Sequence, residues 1–231
     1  MKVGIRSAKD KDSFVGEMNV DEPEVGFIFE MTTDPAKLSS FGFPEAVVGA
    51  ARAVAEANED AKPEFPVLRV EEGWSDSGRL WDGETIDSIA EQTNRLQPVA
   101  HLGHIKDEDA PTKMPDPQTT WLGAVTKMEP SRQKDRKGEM VKAIYLAGYN
   151  LPGARVRTYI KSKAVRGISW WGKARQIPVP GKGVRVSNFK LLAIDWARKG
   201  SEGMPSSRIV ALAKEMKEDT LDKELSQVTP E

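Results

Sequence analysis

Cysteine is missing from all 231 residues, so the chain forms no disulfide and has no thiol chemistry; this fits a reducing compartment. Histidine is nearly missing too, with two in the whole chain. There is no surplus of charge. Lys and Arg number 34 against 35 Asp and Glu, for a net charge of -1, so no global basic field draws the protein to nucleic acid. No apolar run approaches the roughly 18 residues that a membrane helix needs. The opening residues MKVGIRSAKDKDSF lack the apolar centre of a signal peptide. These absences lead to the expectation of a soluble, cytoplasmic protein without a membrane or nucleic-acid partner. What is there fits that expectation. A hydrophobic fraction of 39% beside 30% charged residues describes a core under a polar surface, and 15 prolines and 19 glycines imply many turns. The length suits one large domain or two small ones.

Periodicity and breakers divide the chain into elements. VGFIFE (25–30) reads as a strand. PEAVVGAARAVAEAN (44–58) reads as a helix opened by proline. FPVLRV (65–70) is a strand and GWSDSGRL a turn. DGETIDSIAEQTN is a helix with Asp82 at its N-cap. QPVAHLGHI (97–105) is an extended buried strand, followed by a proline-rich acidic loop over 106–119. TWLGAVTKME and MVKAIYLAGYN are strands on either side of the charged turn EPSRQKDRKGE. Pro152 to Val165 fits a basic amphipathic helix broken at Arg166-Gly167. GISWWGKARQIPV and VRVSNFKLLAIDWAR are strands about a PGKG turn, and SSRIVALAKEMKED is a C-terminal helix. Consecutive strands in the middle, with no strict strand–helix alternation, predict an α+β fold: an antiparallel β-barrel or sheet flanked by helices.

Both histidines fall in PVAHLGHI, three residues apart, ahead of Asp107, Glu108 and Asp109. Three readings compete. The first is a pair of buried, hydrogen-bonded structural histidines. The second is a metal site of His101, His104 and Asp107 or Asp109; residues three apart on a strand point to opposite faces, which counts against it. The third makes one imidazole a general base, its unperturbed pKa lying near neutrality. A base of that kind serves a serine nucleophile and is oriented by a third group. Ser169 stands out as a small hydroxyl between Ile168 and Trp170 in an otherwise apolar strand, although a serine can sit there simply because it fits. Asp195 follows the apolar run LLAI, where a carboxylate is costly to bury unless paired; a strand-end acid reaching solvent is the plainer alternative.

Four stretches, spanning about 65–212, together resemble the prohead (capsid maturation) proteases of tailed bacteriophages, which share their fold with the herpesvirus assemblin proteases. They are GWSDSGRLWDGETIDSIAEQ, PVAHLGHI with the loop and WLGAVTKME after it, ARVRTYIKSKAVRGISWWGKAR, and FKLLAIDWARKGSEGMPSSRIV. The resemblance implies a protease domain over 61–215; it does not cover the N-terminal segment 1–60, which can belong to the same domain, and residues 216–231 read as a flexible tail. It implies a serine endopeptidase with His104 as general base and Ser169 as nucleophile. The third member is a second histidine in the herpesvirus enzymes and an acid in part of the phage group. Asp195 is the better candidate here, because His101 is expected to face away from His104. Arg198 and the backbone N–H groups of Lys199 and Gly200 fall where the family stabilises the oxyanion. The two tryptophans after the serine, Trp170 and Trp171, depart from the smaller residues expected there. The implied substrates are scaffold and major capsid protein segments, and the chain itself, inside the prohead in the host cytoplasm. A homodimer is allowed by the resemblance, and the chemistry asks for no cofactor and no metal. The alternative is a capsid-interior or scaffold-linked domain of the same fold without activity.

Overall fold

In the computed structural model, residues 13–15, 29–58, 63–104, 116–162 and 164–198 are described. In chain order the elements are β1 (Ser13–Val15), β2 (Phe29–Thr32), α1 (Glu45–Ala57), β3 (Phe65–Glu71), β4 (Gly73–Trp74), β5 (Arg79–Trp81), α2 (Gly83–Leu96), β6 (Val99–His101), β7 (Pro117–Pro130), β8 (Met140–Asn150), α3 (Val156–Lys161), β9 (Val165–Val179) and β10 (Gly183–Arg198). They form an α+β fold of two five-stranded sheets. One has the order β1-β9-β10-β5-β4, the other β2-β3-β8-β7-β6. Among the described residues every strand pairing is antiparallel except the short β10–β5 contact, and the isolated Leu102–Trp196 bridge is parallel too.

Two cores follow from the side-chain alternation. In β3, Leu68 and Val70 join one apolar cluster while Phe65 and Val67 join the other, so both faces of the strand are covered. The larger cluster lies between the sheets and beneath α2, whose Ile86, Ile89 and Ala90 meet Trp81, Trp121, Ile144, Ile168, Trp170, Ile194 and Trp196. The smaller cluster lies under α1, where Val47, Val48 and Ala51 cover Phe65, Val67, Leu122, Tyr145 and Tyr149. α2 begins where its cap predicts: the Asp82 carboxylate accepts the Thr85 backbone N–H at 3.0 Å.

Several sequence expectations change. The strand read over 97–105 ends at His101, and Gly103 turns the chain with φ 79°, a left-handed value that glycine adopts without strain. Its isolated neighbour Leu102 bridges to Trp196, tying the second sheet to the first. The helix read over 152–165 shrinks to Val156–Lys161: Pro152-Gly153 forms a turn, with Gly153 at φ 79°. Arg166-Gly167 is no break, because β9 is already running from Val165. GWSDSGRL is the short β4–β5 hairpin. The loop read over 106–119 has become strand by Pro117. The strand expected over 25–30 is Phe29–Thr32 among the described residues. The expected C-terminal helix, the tail and Asp107 to Asp109 lie outside the described residues.

Candidate active site

The longest pairing in the molecule builds the site. β9 and β10 run antiparallel along nearly their whole length, and their register sets Asp195 directly opposite Ser169. Cross-strand partners project to the same face. On that face Ser169 and Asp195 stand side by side. Their neighbours Ile168, Trp170, Ile194 and Trp196 point the other way into the larger core. The alternation that made Ser169 conspicuous in RGISWWG is therefore the alternation of a strand with one buried apolar face and one face toward the site.

The ring of His104 arrives from the other sheet. After the Gly103 turn, His104 Nδ1 lies 2.6 Å from Asp195 Oδ2, and its Nε2 lies 3.1 Å from Ser169 Oγ. An ionised carboxylate can only accept, so Nδ1 carries the hydrogen. In the neutral ring that leaves Nε2 with the lone pair that accepts the serine hydroxyl proton. Trp171 stacks on the imidazole at a centroid separation of 5.0 Å and an interplanar angle of 26°. This is one of the two tryptophans that depart from the expected smaller residues; it covers one face of the ring.

His101 does not face away, as the strand period predicted. Because the strand stops there, both histidines converge on one carboxylate. The His101 backbone N–H donates to Asp195 Oδ1 at 2.8 Å, and its ring Nδ1 stands 3.6 Å from the same oxygen. Asp195 is itself 1% exposed. Burial pushes its pKa up, but the His101 and His104 side chains and the His101 N–H outweigh that and hold it below the ordinary aspartate value. Asp195 is thus an anion with fixed neighbours, not the solvent-reaching strand-end acid of the plainer reading.

The backbone on either side of Asp195 is pinned. The Trp121 indole N–H donates to the Ile194 carbonyl at 2.8 Å, and the Gly103 N–H donates to the Trp196 carbonyl at 2.9 Å. The Trp196 indole N–H donates to Thr119 Oγ1 at 2.9 Å, which in turn donates to Asn150 Oδ1 at 2.8 Å. These buried indoles fix the depth of β10 against the second sheet. The sequence pattern places Trp121 and Trp196 in strands and singles out neither.

Of the proposed oxyanion group, Arg198 is the last residue of β10 and pairs with Val165. Lys199 and Gly200 lie outside the described residues, as do the acids Asp107 and Asp109 of the metal reading. Among the described residues, no group of three or more histidine or acidic side chains is arranged to hold a metal ion. No described helix is long and apolar enough to cross a membrane.

No protein-family model and no curated protein matches this sequence. Among solved structures the chain is similar to the capsid assembly protease of bacteriophage T4, with 13% identity and a TM-score of 0.38 over 57% of this chain and 82% of that one, a likeness too distant to assign a family.

Proposed function

We propose that the chain is a serine endopeptidase in which Ser169 is the nucleophile, His104 the general base and Asp195 the group that orients and charges against the imidazole. The observation that carries this reading is the continuous relay from Asp195 through His104 to Ser169, at 2.6 and 3.1 Å, on a carboxylate kept anionic while buried. Ser169 Oγ attacks the scissile carbonyl as His104 Nε2 takes its proton. The imidazolium, held by Asp195, then returns that proton to the leaving amine. Water repeats the sequence on the acyl-enzyme and frees Ser169. Arg198 and the Lys199 and Gly200 N–H groups are the proposed stabilisers of the tetrahedral oxyanion.

The four stretches that resemble prohead proteases support the biological setting. On this reading the enzyme cuts scaffold and major capsid protein segments, and itself, within the immature capsid. The test is to mix the purified chain with scaffold and capsid protein and follow cleavage. Wild type cuts, and Ser169→Ala keeps its fold but loses on the order of 10⁶-fold in rate. Cleavage by the alanine variant near the wild-type rate would overturn the assignment of Ser169. A wild-type chain that cuts nothing would support the inert structural domain instead.

A further inference from the structure

β9 has two edges. β10 covers one of them from Val165 to Val179. Along the other, among the described residues, only β1 is paired: Val15 opposite Trp171, Phe14 opposite Gly172 and Ser13 opposite Lys173, antiparallel. Val15 is the end nearest Ser169, its partner Trp171 being two residues further along the same strand and on the same face. That places the occupied rungs about 7 Å from the serine at the usual rise per residue. Among the described residues β1 is the outermost strand of its sheet and pairs with β9 alone. In sequence its two apolar residues, Phe14 and Val15, follow KDKDS and precede GE.

A peptide whose carbonyl is to meet Ser169 Oγ must be held extended, with its backbone polar groups satisfied. An uncovered edge of the strand that carries the serine offers those rungs by antiparallel strand addition. We propose that Ser13–Val15 is an internal competitor: it occupies the rungs of β9 on which an extended peptide substrate aligns, and it must leave before substrate can bind. This rests on the reading of Ser169 as the nucleophile. Three rungs at a sheet margin make a displaceable contact, since so short a strand contributes few backbone hydrogen bonds.

The test uses the full-length chain carrying Ser13→Pro, Phe14→Pro and Val15→Pro, which cannot donate the strand's hydrogen bonds. If the wild-type edge is occupied about nine-tenths of the time, the variant's KM for a peptide substrate falls about tenfold with kcat unchanged. A synthetic peptide of residues 9–19 then inhibits it competitively. An unchanged KM in a variant with wild-type circular dichroism would overturn the proposal. A small fluorophosphonate needs no strand, so it separates the two claims: equal labelling of both chains leaves the Ser169 reading standing whatever the KM does. If neither chain labels, the edge is still tested by binding of the fluorescent 9–19 peptide to the proline variant, where absence of binding overturns it. Should the proline variant not fold, hydrogen exchange on the Ser169→Ala chain replaces it. Excess substrate peptide is expected to strip protection from residues 13–15, and unchanged protection there would contradict the inference.

Discussion

Two buried carboxylates, Asp195 and Glu71, are both held below the ordinary acid pKa, yet they do different things. Glu71 is 0% exposed, and its oxygens are fully engaged. Arg69 donates to it, Ser131 Oγ donates at 2.6 Å, the Arg132 N–H at 2.7 Å and Gln133 Nε2 at 3.0 Å. Arg69 also binds Glu129, which accepts the Tyr145 hydroxyl at 2.8 Å. Burial alone would raise the Glu71 pKa; its hydrogen bonds and the permanent guanidinium charge lower it. Asp195 has no guanidinium. Its partners are a backbone N–H and two imidazole rings, none of them a permanent cation. A carboxylate matched to a permanent cation is complete and serves structure. On the proposed reading, one matched to an imidazole holds its negative charge ready for the positive charge that the ring gains during reaction.

The largest effect that separates the two is on turnover. Asp195→Asn offers the ring an amide in place of an acceptor-only carboxylate and favours the wrong tautomer. Its turnover per folded molecule is expected to drop about 10⁴-fold, far beyond what losing the carboxylate's share of stability accounts for. A lowered melting temperature with turnover kept would make Asp195 a second Glu71. Asp195 also carries an acid signature. Its folded-state pKa lies below the unfolded value, so its share of stability is full above that unfolded value and is lost as pH falls toward the folded one. Asp195→Asn should flatten this limb.

Next in size is Arg69→Met, which leaves Glu71 buried without its cation. The expected cost is about 3–5 kcal/mol of stability, read as a lower denaturation midpoint, with peptide turnover per folded molecule unchanged. Loss of turnover in the folded fraction would mean that the two regions are coupled.

Much of this was legible beforehand, and the failures have identifiable causes. The long strands around β7–β10 and the capped helix α2 were visible because apolar alternation and a clear N-cap act locally. Ser169 and Asp195 were visible as polar residues in apolar strands. That they face each other was not, since cross-strand register depends on bulges within β10 that no local pattern signals. A strand period of two carried through Gly103 turns His101 away from His104, and one left-handed residue there cancels that period. The Arg69–Glu71 network was missed altogether. An Arg and a Glu two apart in FPVLRVE were the available sign, because strand neighbours at that spacing share a face.

The smallest expected effect probes that turn. Among the described residues nothing lies within 4 Å of a Cβ added at Gly103, so Gly103→Ala is expected to cost the strain of its positive φ, about 1–2 kcal/mol. Because His104 is the next residue, turnover should fall further than that stability loss accounts for. Equal small losses in both would show that the ring is positioned by its Asp195 and Trp171 contacts and not by the turn.

The central claim is that His104 and Asp195 activate Ser169. It is tested most directly by the rate and site of fluorophosphonate labelling in wild type, His104→Ala and Asp195→Asn, with the adduct located by peptide mass spectrometry. The account predicts one adduct, on Ser169, formed rapidly in wild type and slowed by orders of magnitude in both variants. An adduct on another residue, no adduct at all, or a Ser169 rate indifferent to loss of His104 would contradict it.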